Sequence, residues 1–124
     1  MMAKSPSEYD EKLDRGSILE RLEGNQDLLI EVIQAFQEEA PQLIEAMRKA
    51  LRQGDMKQLA RSAHSMKGAA GNFSTCGTAS AASQLEKDAQ SGDVESSTAS
   101  LATLEVVLER LLAQLVDLCQ GAAK

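Results

Sequence analysis

The residues able to do chemistry gather in one short stretch. "ARSAHSMKGAAGNF", residues 60–73, contains the only histidine of the chain, His64, with Lys67 three residues later and glycines at 68 and 71. Inside a helix each glycine costs roughly 1 kcal/mol against alanine, so a pair of them beside the single imidazole calls for a reason. The ring itself has a limited set of uses. A metal site needs further ligands at suitable spacing, and none lie nearby. General base catalysis needs a nucleophile and an enclosed pocket. Nucleophilic use of a ring nitrogen needs neither: a neutral imidazole near pH 7 can attack phosphorus, and the ammonium of Lys67 at i+3 can balance the added charge. The plain alternative is a solvated surface histidine with no role.

The elements that carry this stretch are amphipathic helices. Apolar residues at Leu29, Ile33, Phe36, Ala40, Leu43, Met47 and Leu51 alternate steps of four and three, one face of a long helix capped by Asn25 and followed by Asp27 in its first turn. Pro41 sits inside it and predicts a kink or a break. "QGD" at 53–55 ends this helix with Gly54 and opens the next with Asp55. That third segment carries Leu59, Ala63, Met66, Ala70 and Phe73. After a turn around "STCGT" comes a helix with Thr78, Ala82, Leu85 and Ala89, closed by "SGD" at 91–93. The last helix, from about Asp93 to Gln120, aligns Leu101, Leu104, Leu108, Leu111, Leu115 and Leu118, with Gly121 as its stop. No segment shows period-two alternation. The expected fold is all-α, an antiparallel four-helix bundle over residues 9–121, with Leu13, Ile18 and Leu22 in a short N-terminal helical cap and residues 1–8 as a disordered lead-in.

At roughly 100° per residue, His64 falls about 140° from the apolar stripe of its helix. It is therefore expected on the solvent side, together with Lys57, Ala60, Arg61, Lys67, Gly68 and Gly71, with Asp55 at the cap as the only nearby acid. Gly68 lies one turn ahead of the imidazole, and Gly71 and Ala60 extend the same bare strip. That arrangement admits a partner's backbone to the ring at a cost of about 2 kcal/mol in helix propensity. Close helix packing or a frayed helix end is the competing account of the glycines. Lys57, Arg61 and Lys67 form a positive strip expected to steer an acidic partner to this face.

Totals narrow the class. The 124 residues suffice for one core but hardly for a deep enclosed active site, and with 43% hydrophobic but 2% aromatic residues that core is aliphatic. A net charge of −6 with no Trp, one Tyr and two Phe argues against nucleic acid as a partner. Cys76 and Cys119 match no metal-ligand spacing and read as reduced thiols. "MMAKSPSEYDEK" has no apolar stretch for a signal peptide, and no long apolar run follows, so the expectation is a cytoplasmic chain without membrane contact. The doubled Met at the start suits a piece of a longer protein.

With these residues on the page, "AHSMKGAAGNF" resembles the core motif of the histidine-containing phosphotransfer (HPt) domains of two-component phosphorelays: an alanine, the phosphoacceptor histidine, an apolar residue at plus two, then Lys-Gly. "LLIEVIQAFQEEAPQLIEAMRKALRQGD" resembles the family's preceding helix, "QLEKDAQSGD" its following helix and "LDRGSILERLEGN" its lead-in, so the likeness runs from about residue 13 to 118. Two positions depart from it: Ser74 stands where many relatives have glycine, and Thr78 where an apolar residue is usual. The resemblance implies that His64 is phosphorylated, that Lys67 balances charge, that Gly68 gives clearance, and that Glu86 on the neighbouring helix orients the imidazole. It implies no catalysis of the chain's own and no cofactor of its own. The partners implied are response-regulator receiver domains, which supply the aspartate and the Mg²⁺, and a hybrid sensor histidine kinase. The domain is expected to be a monomer. A helical adaptor that binds a partner without chemistry is the alternative; a chemotaxis-type kinase would need its ATP site elsewhere, since no Gly-rich phosphate loop occurs here.

Overall fold

The computed structural model describes Tyr9, Leu13, residues 15–73 and residues 77–123. Five helices make up these residues: α1 (Arg15–Arg21), α2 (Gln26–Gln53), α3 (Met56–Gly71), α4 (Gly77–Gln90) and α5 (Val94–Ala123). No strand occurs among the described residues. Each of α2 to α5 packs on the next, and α5 closes the ring on α2, so the four long helices form an antiparallel bundle with α1 laid against α2. The expected lead-in (residues 1–8) lies outside the described residues. So do Ser74 and Cys76 of the "STCGT" turn, whereas Gly77 and Thr78 already belong to α4.

Capping chemistry sets the boundaries. The Asn25 side chain accepts from the Leu28 N–H at 2.9 Å, and Asp55 accepts from the Gln58 N–H at 3.1 Å. Asp93 accepts from Ser96 twice, from the backbone N–H at 3.0 Å and from the hydroxyl at 2.9 Å; these bonds hold its carboxyl below the usual aspartate value. Gly54 ends α2 at φ 70°, a left-handed conformation that costs any residue with a Cβ. Its geometry sends the Asp55 N–H to the Ala50 carbonyl at 2.8 Å and the Gly54 N–H to that of Leu51 at 3.2 Å, a Schellman closure.

Pro41 does not break α2, which runs 28 residues through it. Pro41 is exposed. The carbonyl of Gln37 that loses its intrahelical donor is therefore on a half-exposed turn where water can serve it, while Phe36, Ala40 and Ile44 hold both halves on the core. The apolar stripe also shifts. Beyond Ala40 the buried positions are Ile44, Met47 and Ala50, with Leu43 and Leu51 half-buried at the margins, because α2 packs against both α3 and α5 and buries a wider arc than one seam. Gly121 likewise fails to stop α5, which continues to Ala123. Glycine costs only about 1 kcal/mol in a helix, and no proline follows it. Leu118 is half-buried.

The core is largely aliphatic, as the composition requires, and it includes an aromatic contact. Phe36 of α2 meets Phe73, just past the end of α3, edge to face at 5.3 Å and 71° between planes. Phe73 is 1% exposed. Together with Leu59, Ala63, Met66 and Ala70, all fully buried, it fixes α3 in rotation. The face that α3 turns away from the core is thereby determined.

Candidate functional site

The rotation of α3 puts the His64 side chain in solvent, 66% exposed, in agreement with the helical geometry of the sequence. What the spacing within α3 could not provide is the ring's partner. On α4, Ala82, Leu85 and Ala89 face the core. Their burial leaves Glu86 on the shoulder next to α3, its side chain only 17% exposed. Glu86 Oε2 lies 3.0 Å from His64 Nδ1, and Glu86 Oε1 lies 3.6 Å from Lys67 Nζ. A single carboxylate thus touches both residues of the His-x-x-Lys pair.

An ionised carboxylate can only accept, so the Nδ1 beside it carries a hydrogen. The contact orients the imidazole, and in the neutral form of the ring it leaves the lone pair on Nε2, the nitrogen that can act as nucleophile. If that nitrogen forms a bond to an electrophile the ring becomes cationic, and the Glu86 carboxylate already stands against it.

The glycines beside it leave room. A Cβ built on Gly68 or on Gly71 meets nothing within 4 Å. Close helix packing is therefore not the reason for either residue. Gly71 is the last residue of α3, and its carbonyl accepts from Arg21 Nη1 at 3.1 Å, which ties α1 to the end of the histidine helix. Among the other strip residues Ala60 is half-buried, and Lys57 and Arg61 are exposed and form no ion pair with a described residue. Lys67 differs from these two, being paired to Glu86.

Asp55 is the only acid near His64 on α3, but it serves as the cap; the acid on the ring is Glu86, 22 positions away in sequence. The Glu86–Lys67 contact and the Arg21–Gly71 tie have no signature in local spacing. No cluster of three or more His, Cys, Asp or Glu residues able to hold a metal occurs among the described residues, and no described helix is long and apolar enough to cross a membrane. Cys119 is a half-buried free thiol on α5.

A four-helix bundle that presents an oriented imidazole on an open face, with no surrounding cleft, has the form of a carrier module: it can take up a group that another protein delivers. The model of the Hpt domain family matches residues 31–118, from the first half of α2 to the end region of α5, and the chain belongs to that family. Hpt domains are phosphotransfer carriers of two-component phosphorelays, where they interact with receiver domains and kinases. Neither the curated proteins nor the solved structures include a match to the chain.

Proposed function

We propose that His64 is the phosphoacceptor, shuttling a phosphoryl group between aspartates of receiver domains, one of them in a hybrid sensor kinase. Nε2 attacks the phosphorus of a receiver's aspartyl phosphate in line. The N–P bond forms as the P–O bond to the aspartate breaks, and the carboxylate leaves with that electron pair. The proton on Nδ1 stays in place, held by Glu86, whose negative charge offsets the cationic ring produced by the attack. In the reverse step a receiver carboxylate attacks phosphorus and the N–P electron pair returns to Nε2. Transfer of this kind needs cations to spread charge in a loose transition state. Lys67 supplies one from this chain, and the receiver brings Mg²⁺ with its aspartate. The chain adds no cofactor and no independent catalysis, and works as a monomer in the cytoplasm.

The observation that carries the reading is the contact of 3.0 Å between Glu86 and Nδ1 on a ring that is otherwise open to solvent. A surface histidine without a role has no need of a largely buried carboxylate to fix its tautomer. The open space at Gly68 supports the reading from the other side, since receiver loops must come close to the ring. The direct test is to mix the protein with a phosphorylated receiver and look by mass spectrometry for one acid-labile phosphoryl group on His64. An adaptor without chemistry binds and gains no mass.

A further inference from the structure

Between the first turns of α3 and the last turn of α4 runs a groove of about 570 Å³, open to solvent, at the end of α3 away from the Arg21–Gly71 tie. Met56, Ala60 and Ala89 give it apolar walls, and Lys57 and Arg61 stand along it. Gly92, in the connection to α5, also lines it.

Charge decides what can occupy it. The chain carries a net −6, yet the two charged residues lining this groove are both cations. Neither forms an ion pair with a described residue. The carboxylates nearest in sequence are committed elsewhere: Asp55 caps α3, Asp93 caps α5, and Asp88 accepts from Gln84 at 3.1 Å and from Ser100. An apolar trough flanked by unpaired cations suits a peptide segment with an apolar side chain between carboxylates. Its open form does not suit a small molecule, which needs most of its surface enclosed.

Resting on the reading of His64 as phosphoacceptor, we infer that this groove is a second docking subsite, which holds an acidic, apolar-centred segment of the receiver while the aspartate reaches the imidazole. Lys57 lies seven residues before His64, about 10 Å along the helix axis. A receiver straddling that distance touches ring and groove together. The groove adds no group to the chemistry; it lengthens the lifetime of the complex.

The test makes both walls negative: Lys57→Glu reverses the charge on α3, and Gln90→Glu puts a carboxylate on α4, where Gln90 also lines the groove; both positions are exposed, so their replacement leaves the core untouched. Association and dissociation of a receiver domain that binds the wild-type chain are measured by stopped-flow fluorescence at low and high salt. Loading of His64 by phosphoramidate, a small phosphodonor that needs no docking, is measured in parallel. The expected result is a dissociation constant raised roughly tenfold through faster dissociation, still evident at high salt, with phosphoramidate loading unchanged. An unchanged affinity overturns the inference. So does slower association with unchanged dissociation, which means long-range attraction alone. If phosphoramidate fails to label even the wild-type protein, the phosphoacceptor reading has failed, and the binding comparison still decides the groove.

Discussion

Replacement of Gly68 by glutamine should move stability and transfer in opposite directions. Gly68 lies within α3, three residues before its end, and a Cβ there meets nothing within 4 Å, so the new side chain enters without strain. Exchanging glycine for glutamine in a helix gains about 0.6 kcal/mol. For 124 residues that raises the melting temperature by about 2 °C. The same side chain occupies the space one turn from the imidazole that a receiver loop must enter. Transfer should slow at least roughly tenfold, a barrier higher by about 1.4 kcal/mol. Calorimetry gives the first quantity and rapid-quench transfer from a phosphorylated receiver the second, while phosphoramidate, which is small, should load the variant at close to the wild-type rate. Wild-type transfer from the receiver would refute the clearance argument. A lowered melting temperature would mean that this glycine is needed by the fold after all.

Three further outcomes follow from the site and its supports. Glu86→Ala removes the acceptor from His64 Nδ1 and the partner of Lys67, and should lower the rate of His64 loading about fivefold, the value of one hydrogen bond near 1 kcal/mol; Glu86→Gln, which keeps an acceptor for Nδ1, should retain most of the rate. Arg61→Glu should slow association with a receiver more at low than at high ionic strength, because an exposed charge acts through a screened field; equal rates at low salt would remove the steering role. Asp93 is held below the ordinary value of 3.8 by its bonds to Ser96. Its cap therefore contributes fully above that value and is lost as pH falls through the lowered one. Urea unfolding between pH 5 and pH 2 should show this loss in the wild type and a smaller one in Asp93→Asn.

Much of this molecule is legible from local rules, because helices declare themselves through spacing and caps. Asn25, Asp55 and Asp93 each cap the helix that the sequence marks, and the outward direction of His64 follows from counting 100° steps away from Leu59, Ala63 and Met66. The errors arise where packing outweighs propensity. Pro41 stays inside a continuous helix because buried neighbours on either side hold it, and α5 passes Gly121 because one glycine is a weak stop. Ile44 and Ala50 replace Leu43 and Leu51 in the core because α2 has two neighbours, which periodicity in a single helix cannot reveal. The site divides along the same line. His64, Lys67 and Gly68 are local and readable from their spacing. Glu86 comes from another helix, and family resemblance pointed to it where spacing could not; its second contact, to Lys67, depends on the register of α4 against α3. The groove from Met56 to Gly92 is assembled from three segments and has no sequence signature.

The measurement that bears most directly on the account is the phosphorylation of wild-type and His64→Gln proteins by the same phosphorylated receiver, read by intact mass and by peptide mapping under neutral conditions. His64 lies on the solvent face, so its loss leaves no cavity and should shift stability by no more than about 0.5 kcal/mol. The account predicts one acid-labile phosphoryl group per wild-type chain, mapped to His64, and none on a His64→Gln protein that melts within a few degrees of it. A phosphoryl group on the His64→Gln chain, or a wild-type chain that binds the phosphorylated receiver and gains no mass, would contradict it.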